Sequence, residues 1–201
     1  MTGLNARKRY QGGFSLPEVL VVVAVGAIVT TAGLPRMTNV IANMKLRSSM
    51  TTVSGLLQNT RMTAVQQNKT MTAKHIIMPS PPYSWVYYVK GVTGSSSLTK
   101  SDPQVELEAP ITPYDSPTGT GAPSAITNAE LGLAVDPDTG DPSFNSRGLP
   151  CLYSGGSCLN KPFIKYFKDD RTEGSGGWAA ISITPAGRIK RWFWNGMSWA
   201  G

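Results

Sequence analysis

The stretch Gly13-Phe14-Ser15-Leu16-Pro17-Glu18, followed by an apolar run from Val19 to Leu34, constrains this chain more than any other. Within the run, Val19-Leu20-Val21-Val22-Val23-Ala24-Val25-Gly26-Ala27-Ile28-Val29 carries no charge and almost no polar atom. At about 16 residues it stands at the short end of what a membrane-spanning helix needs, roughly 17 to 25. A soluble domain seldom begins with such a run unless the run leaves the domain. One carboxylate, Glu18, sits at its very edge. A charge at a bilayer centre costs on the order of 2.5–3.5 kcal/mol. Position alone leaves two readings open. Either Glu18 lies at headgroup level and favours the positive end of its helix, or it waits for a cation supplied by another subunit.

The remainder of the composition bounds the options. A chain of 201 residues holds one ordinary domain plus a stalk. Hydrophobic residues make up 40% and charged residues only 15%, so the domain is polar through Ser, Thr, Gly and Asn. Of the formal net charge of +7, three charges are Arg7, Lys8 and Arg9, ahead of the run; +7 − 3 leaves +4 on the rest of the chain. That balance does not by itself argue for nucleic acid. The same three cations keep the N-terminus cytoplasmic by the positive-inside rule, with the domain facing outward. A secretory signal peptide would need small residues and a cut after the apolar region, and Ala32-Gly33-Leu34-Pro35 is a poor site.

Gly-Phe-Ser-Leu-Pro-Glu followed by Val-Leu-Val-Val resembles the processing site of type IV pilins and type II secretion pseudopilins. There a basic leader, a Gly, an aromatic residue and a Glu four residues later precede a long apolar helix, and all occur here in order. The resemblance implies that a prepilin peptidase cuts between Gly13 and Phe14 and that Phe14 becomes the methylated N-terminus. It also implies that Glu18 neutralises the N-terminal amine of a neighbouring subunit during assembly. One departure is Pro17, where the family more often has Ile or Leu. Proline is tolerated in a first helical turn, where its missing N–H would have no partner anyway.

The organisation expected is a cleaved leader over 1–13, an N-terminal helix over 14–67 with a transmembrane segment at about 14–35, and a β-rich periplasmic or extracellular domain over 68–201. Pro35 must kink or locally melt the helix, and the resemblance implies a flexible joint there. Beyond it, Met37, Val40, Ile41 and Met44, then Val53, Leu56, Leu57, Ala64 and Val65, recur near helical spacing, with Lys45, Arg47, Gln58, Asn59 and Arg61 on the other face. At 1.5 Å per residue the whole helix would be roughly 80 Å long. The fold class is therefore α+β. The resemblance implies the type IV pilin fold, a long N-terminal helix packed on an antiparallel sheet.

Strands are expected over Met71 to Met78, over Ser84 to Val89, and over Gln104 to Ala109, where Val105 and Leu107 alternate with Glu106 and Glu108. Residues 110–128, rich in Pro, Gly, Ser and Thr, read as a surface loop, and 131–135 as a short strand. Asp136-Pro137-Asp138-Thr139-Gly140-Asp141 has the flavour of a calcium loop but lacks the closing Glu and helical flanks, so a plain turn is the reading. Phe144 to Pro150 reads as a strand running into a turn, Phe163 to Phe167 as a strand, and Gly174 to Gly177 as a flexible loop. Residues 178–184 and 188–194 flank Pro185-Ala186-Gly187 and give a hairpin signal. This C-terminal block resembles the GspH/FimT group of pseudopilins and minor pilins. That group shows an Asn-Ser-Arg-Gly-Leu-Pro-like strand and a closing Gly-Arg-x-Arg-like strand, here Gly187-Arg188-Ile189-Lys190 with Lys for the second Arg.

Cys151 and Cys158, separated by six residues that include Gly155 and Gly156, read as a disulfide outside the cytoplasm. Closing so small a loop contributes about 2.5 kcal/mol in the chain-entropy account. A metal site is disfavoured because His75 is the only histidine, and the spacing is not that of a redox pair. No base–nucleophile set, phosphate loop or nucleophile elbow surrounds Ser15, Ser146 or Ser182, so no enzyme activity, cofactor, metal or small-molecule substrate is expected.

Two functional readings remain. One is a minor pilin or pseudopilin subunit, held in the inner membrane as a single-pass protein and then assembled with other pilins or pseudopilins into a periplasmic or cell-surface filament. The other is a DNA-binding minor pilin that uses Arg188, Lys190 and Arg191 beside Trp192, Phe193, Trp194 and Trp199. Cations meet phosphates and aromatic faces stack on bases. Against this, one set of aromatic residues would pack on the core and the cations would form a solvated strand edge. An unprocessed membrane-anchored adhesin is a third alternative.

Overall fold

In a computed structural model, residues 15–78, 83–93, 97–171 and 177–201 are described, helical residues 29–39 by their backbone alone. The chain divides after Thr38 into two units. A single helix, α1, is assigned from Leu16 to Gln66. Pro17 sits in its first turn, and the assignment continues through Pro35, so local melting does not occur there. Among the described residues no helix is long and apolar enough to cross a membrane. The transmembrane segment expected over about 14–35 lies partly outside the described residues, which leave out Phe14 and the side chains of residues 29–39.

In the second unit α1 buries Ala42, Leu46, Met50, Val53, Leu57 and Ala64, with Thr60 among them. These recur at spacings of three and four, a single stripe along the helix. The hydroxyl of Thr60 donates to the carbonyl of Leu56 at 2.8 Å, so its burial leaves no polar atom unpaired. The structure shifts the expected stripe at its N-terminal end. Val40, Ile41 and Met44 are exposed, as is Val65 near the other end, and Ala42, Leu46 and Met50 take the buried face; the Met37 side chain lies outside the described residues. Hydrophobicity alone pointed to the larger side chains, but Ala42 lies in phase with the buried Leu46 and Met50.

Eleven antiparallel strands form two sheets among the described residues. The first has the order β3 (Gln104–Glu106), β2 (Trp85–Gly91), β1 (Met71–Ile77), β5 (Ser143–Phe144), β6 (Pro150–Ser154), β7 (Ser157–Asn160). The second has the order β11 (Trp199–Ala200), β10 (Ile189–Trp194), β9 (Trp178–Ile183), β8 (Phe163–Asp169), β4 (Ile111–Tyr114). The α+β architecture is as expected, with two sheets sharing the helix in place of one. Met71, Ala73, Tyr87 and Val89 of the first sheet and Phe163, Phe167, Ala179, Ile181 and Ile183 of the second join the helix stripe in one core.

The second sheet is covered on both faces, and every residue of β9 is buried. Its far face carries Ile164, Tyr166, Trp178, Ala180, Trp192 and Trp199. Residues expected to be loop and strand at 110–135 cover this face. Ile111–Tyr114 is an edge strand paired with β8, where Pro113 costs no ladder bond. Ile126 is buried, and its N–H donates to the hydroxyl of Tyr166 at 3.0 Å. The strand expected at 131–135 does not form; a short helix, α2 (Asn128–Leu131), ends there in a turn. Thr127 and Glu130 close a capping box, and Gly132 ends the turn at φ 66°.

The expected pairing of Cys151 with Cys158 is present and ties β6 to β7. Gly155 and Gly156, both at positive φ, make the two-residue turn between these strands, a hairpin not anticipated from their sequence. Residues 136–141, expected to be a plain turn, instead run beside β8, with Asp138 bridging Phe163 in parallel. The Asp138 carboxylate accepts from the Gly140 N–H at 2.8 Å and pairs with Lys161 at 3.1 Å, and Lys165 donates to the Thr139 carbonyl at 2.9 Å. The loop expected at 174–177 lies outside the described residues except for Gly177.

Replacing both Cys151 and Cys158 with Ser is expected to lower the stability of the folded domain by about 2.5 kcal/mol in the chain-entropy account, read as a shift in the denaturant midpoint. An unchanged midpoint would show that the hairpin holds its register without the cross-link.

Candidate functional site

Two regions gather the residues singled out in the sequence. At the N-terminus, Gly13 and Phe14 lie outside the described residues. Glu18 lies in the first turn of α1, exposed, its N–H donating to the Ser15 carbonyl at 3.0 Å. Leu16, Val19 to Val23, Val25 and Ile28 are between 50% and 81% exposed. An apolar surface running round a helix in this way marks a site for membrane or protein contact. The carboxylate thus stands at the head of a helix that nothing in its own chain covers among the described residues.

The second region is built by two turns that meet on α1. In the Asn145–Leu149 turn, the Asn145 side-chain carbonyl accepts from the N–H groups of Arg147 at 2.9 Å and Leu149 at 3.0 Å. In the β9–β10 turn, the Gly187 N–H donates to the Thr184 carbonyl at 2.7 Å. Gly148 and Gly187 take φ of 74° and 79°, a region that costs other residues roughly 1–2 kcal/mol. Arg61 of α1 lies against both and donates to the Gly187 carbonyl at 3.1 Å. A Cβ on Gly148 would stand 3.1 Å from Arg61 and Val65, and one on Gly187 3.1 Å from Arg61 and 3.2 Å from the Gly148 carbonyl. The two segments that resemble the GspH/FimT group therefore dock on one arginine, a long-range contact that no local sequence signal announces.

From Gly187 onward β10 runs along α1 in the opposite direction. Arg61 meets Gly187, Thr51 accepts from Arg191 at 2.7 Å, and the Arg47 guanidinium lies 4.3 Å from the centre of the Phe193 ring. Ile189 and Phe193 face the helix core, which places Arg191 on that side. Lys190 faces the other way with Trp192, its ammonium 3.6 Å from the ring centre. Arg188 is exposed at the turn, on the strand parity of Lys190. The three predicted cations are thus brought together on one strand but divided between its two sides. Trp192 and Trp199 are buried, and the Trp192 N–H donates to Ser182 at 2.8 Å. Those rings are committed to packing and offer no open face to a base.

Charge is segregated. Lys45, Lys90, Lys161, Lys165, Lys168 and Arg171 each pair with a carboxylate. Among the described residues, Arg47, Arg61, Lys69, Lys74, Lys100, Arg147, Arg188, Lys190 and Arg191 pair with none, and five of them, Arg47, Arg61, Arg188, Lys190 and Arg191, lie along β10 or on α1 beside it. Arg47, Arg61 and Arg147 were not singled out as site residues in the sequence; only the packing of helix against strand reveals their company. His75 is engaged elsewhere, against Asp141 and stacked on Tyr87 at 5.3 Å.

Gly187→Ala is expected to destabilise the domain by about 1–2 kcal/mol through backbone strain, with crowding of Arg61 in addition. Thermal unfolding checks this, and a variant as stable as the parent would mean that the turn relaxes freely.

Residues 8–34 match the model of the prokaryotic N-terminal methylation motif. No curated protein and no solved structure matches the chain. The chain carries a prepilin-type N-terminus, and in that feature and its α+β architecture it is similar to type IV pilins and pseudopilins.

Proposed function

We propose that this protein is a minor pilin or pseudopilin of the GspH/FimT kind, a structural subunit without catalytic activity. A prepilin peptidase removes residues 1–13 and methylates Phe14. The subunit waits in the inner membrane with its N-terminus cytoplasmic, then joins a type IV pilus or a secretion pseudopilus. The observation that carries this reading is the methylation motif over 8–34, set on a helix whose apolar side chains are exposed from Leu16 to Ile28. Such a surface needs lipid before assembly and neighbouring helices after it. A carboxylate placed among packed helices is tolerable only with a partner charge, and a neighbour's N-terminal amine supplies one.

Glu18→Ala is expected to insert in the membrane normally and to be absent from sheared filaments; incorporation at the parental level would sink the pairing. Gly13 replaced by a bulkier residue is expected to leave the leader attached, seen as the uncut mass of the intact protein.

A second reading is favoured by the five cations without carboxylate partners that lie along β10 and the helix beside it: binding of DNA through the β10 strand, as in uptake during transformation. Replacing Arg188, Lys190 and Arg191 with Ala in the detergent-solubilised chain is expected to remove a log-affinity against log-salt slope of about −2 to −3. Equal binding by parent and variant would leave the structural reading alone.

A further inference from the structure

We infer that Arg47 of α1 belongs to a track for the phosphate backbone of double-stranded DNA that follows β10, with Arg191 beside it on the helix side and Arg188 and Lys190 across the strand. The inference rests on the DNA reading above and deepens it by naming the form of nucleic acid and the element that completes the site.

Packing of helix on strand fixes the positions of these cations. Thr51 accepts from Arg191 and lies one helical turn from Arg47, which is held over Phe193, two residues along the strand from Arg191. Helix and strand therefore present two guanidinium groups side by side without a carboxylate between them. Arg61 continues the positive field toward the Gly187 turn. From residue 47 to residue 61 the helix rises about 21 Å at 1.5 Å per residue. That matches roughly six phosphates along one strand of a duplex at 3.4 Å of axis each.

Among the described residues the edge of β10 away from β9 pairs with β11 only at Phe193 and Trp194, and Gly201 lies against Lys190 and Trp192 on one face of the strand. A rod-like polyanion can approach that edge with cations on both sides of it. The aromatic residues decide between single strand and duplex. Binding of a single strand draws on open rings for base stacking. Here Trp192 and Trp199 are buried, the half-buried Trp194 packs its ring 5.5 Å from that of Trp199, and Phe193 lies under Arg47. Contact is left to phosphates, so recognition is independent of sequence and steep in salt.

The test is a salt titration of the detergent-solubilised full chain against a random-sequence duplex, the matching single strand, and vesicles containing phosphatidylglycerol. Arg47→Gln is compared with Arg47→Lys, which keeps the charge, and with Lys74→Ala/Lys100→Ala, which removes two unpaired cations from other parts of the surface. The expected result is tighter binding of duplex than of single strand. Arg47→Gln should weaken duplex binding several-fold and flatten the slope by about 0.9, with Arg47→Lys near parental and the Lys74/Lys100 variant unchanged. If the β10 variants lose binding while Arg47→Gln does not, the helix is no part of the site and the inference fails while the DNA reading stands. If the Lys74/Lys100 variant weakens binding as much as Arg47→Gln, total charge and not a track governs binding, which overturns the inference. Preference for vesicles over duplex, or for single strand, overturns the choice of ligand. Absence of any nucleic-acid binding at low salt removes both readings.

Discussion

The burial of one helix stripe by two sheets is the contact on which the domain depends. Met50, Val53 and Ala64 are essentially inaccessible, and each is covered by strands far away in sequence. Burying an aliphatic side chain of this size contributes roughly 1.5–3 kcal/mol, so the stripe outweighs any single polar contact in the fold. Neither sheet could stand alone, since the strands of both present their apolar faces to the same helix. The second sheet needs a cover on its far side as well, and residues 115–131 provide it with Ile126, Ala122 and Leu131.

The parts legible in the sequence were those with a strong local period or a crowded motif. The run ahead of Pro79, the aromatic strand around Trp85 to Val89 and the hairpin about Pro185-Ala186-Gly187 all form where alternation and turn residues placed them. The cysteine pair was legible from spacing. Residues 110–135 were not, because Pro, Gly, Ser and Thr signal loops whether or not the segment is pinned to a sheet. A buried Ile126 held by one tyrosine hydroxyl has no period to detect. The capping box Thr127-Asn128-Ala129-Glu130 with Gly132 behind it was visible in principle and outweighed the apolar look of Leu131 to Val135.

The candidate site divides along the same line. Arg188, Lys190 and Arg191 were found because they are adjacent in the chain, yet adjacency on a strand sends neighbours to opposite faces. Their true companions, Arg47 and Arg61, lie more than a hundred residues away on α1. The register that joins them is set by the Arg61 contact with Gly187, which in turn demands two glycines at positive φ. Backbone geometry at two turns therefore fixes where the positive face lies.

The helix also carries two different kinds of surface. From Leu16 to Ile28 its exposed side chains are apolar, whereas beyond Asn39 it is apolar along a stripe and polar elsewhere. Proline at position 35 lies between these regimes, in a helix that remains assigned through it. A chain built only to fold as a monomer would gain nothing from an uncovered apolar helix with a carboxylate at its head. The same arrangement is what a subunit needs if it must first be stored in lipid and then give up lipid contacts for identical or similar helices. On that view the single charge at Glu18 adds little to storage. It makes the exchange selective, because only a neighbour that brings a cation to that depth removes the cost of burying the carboxylate.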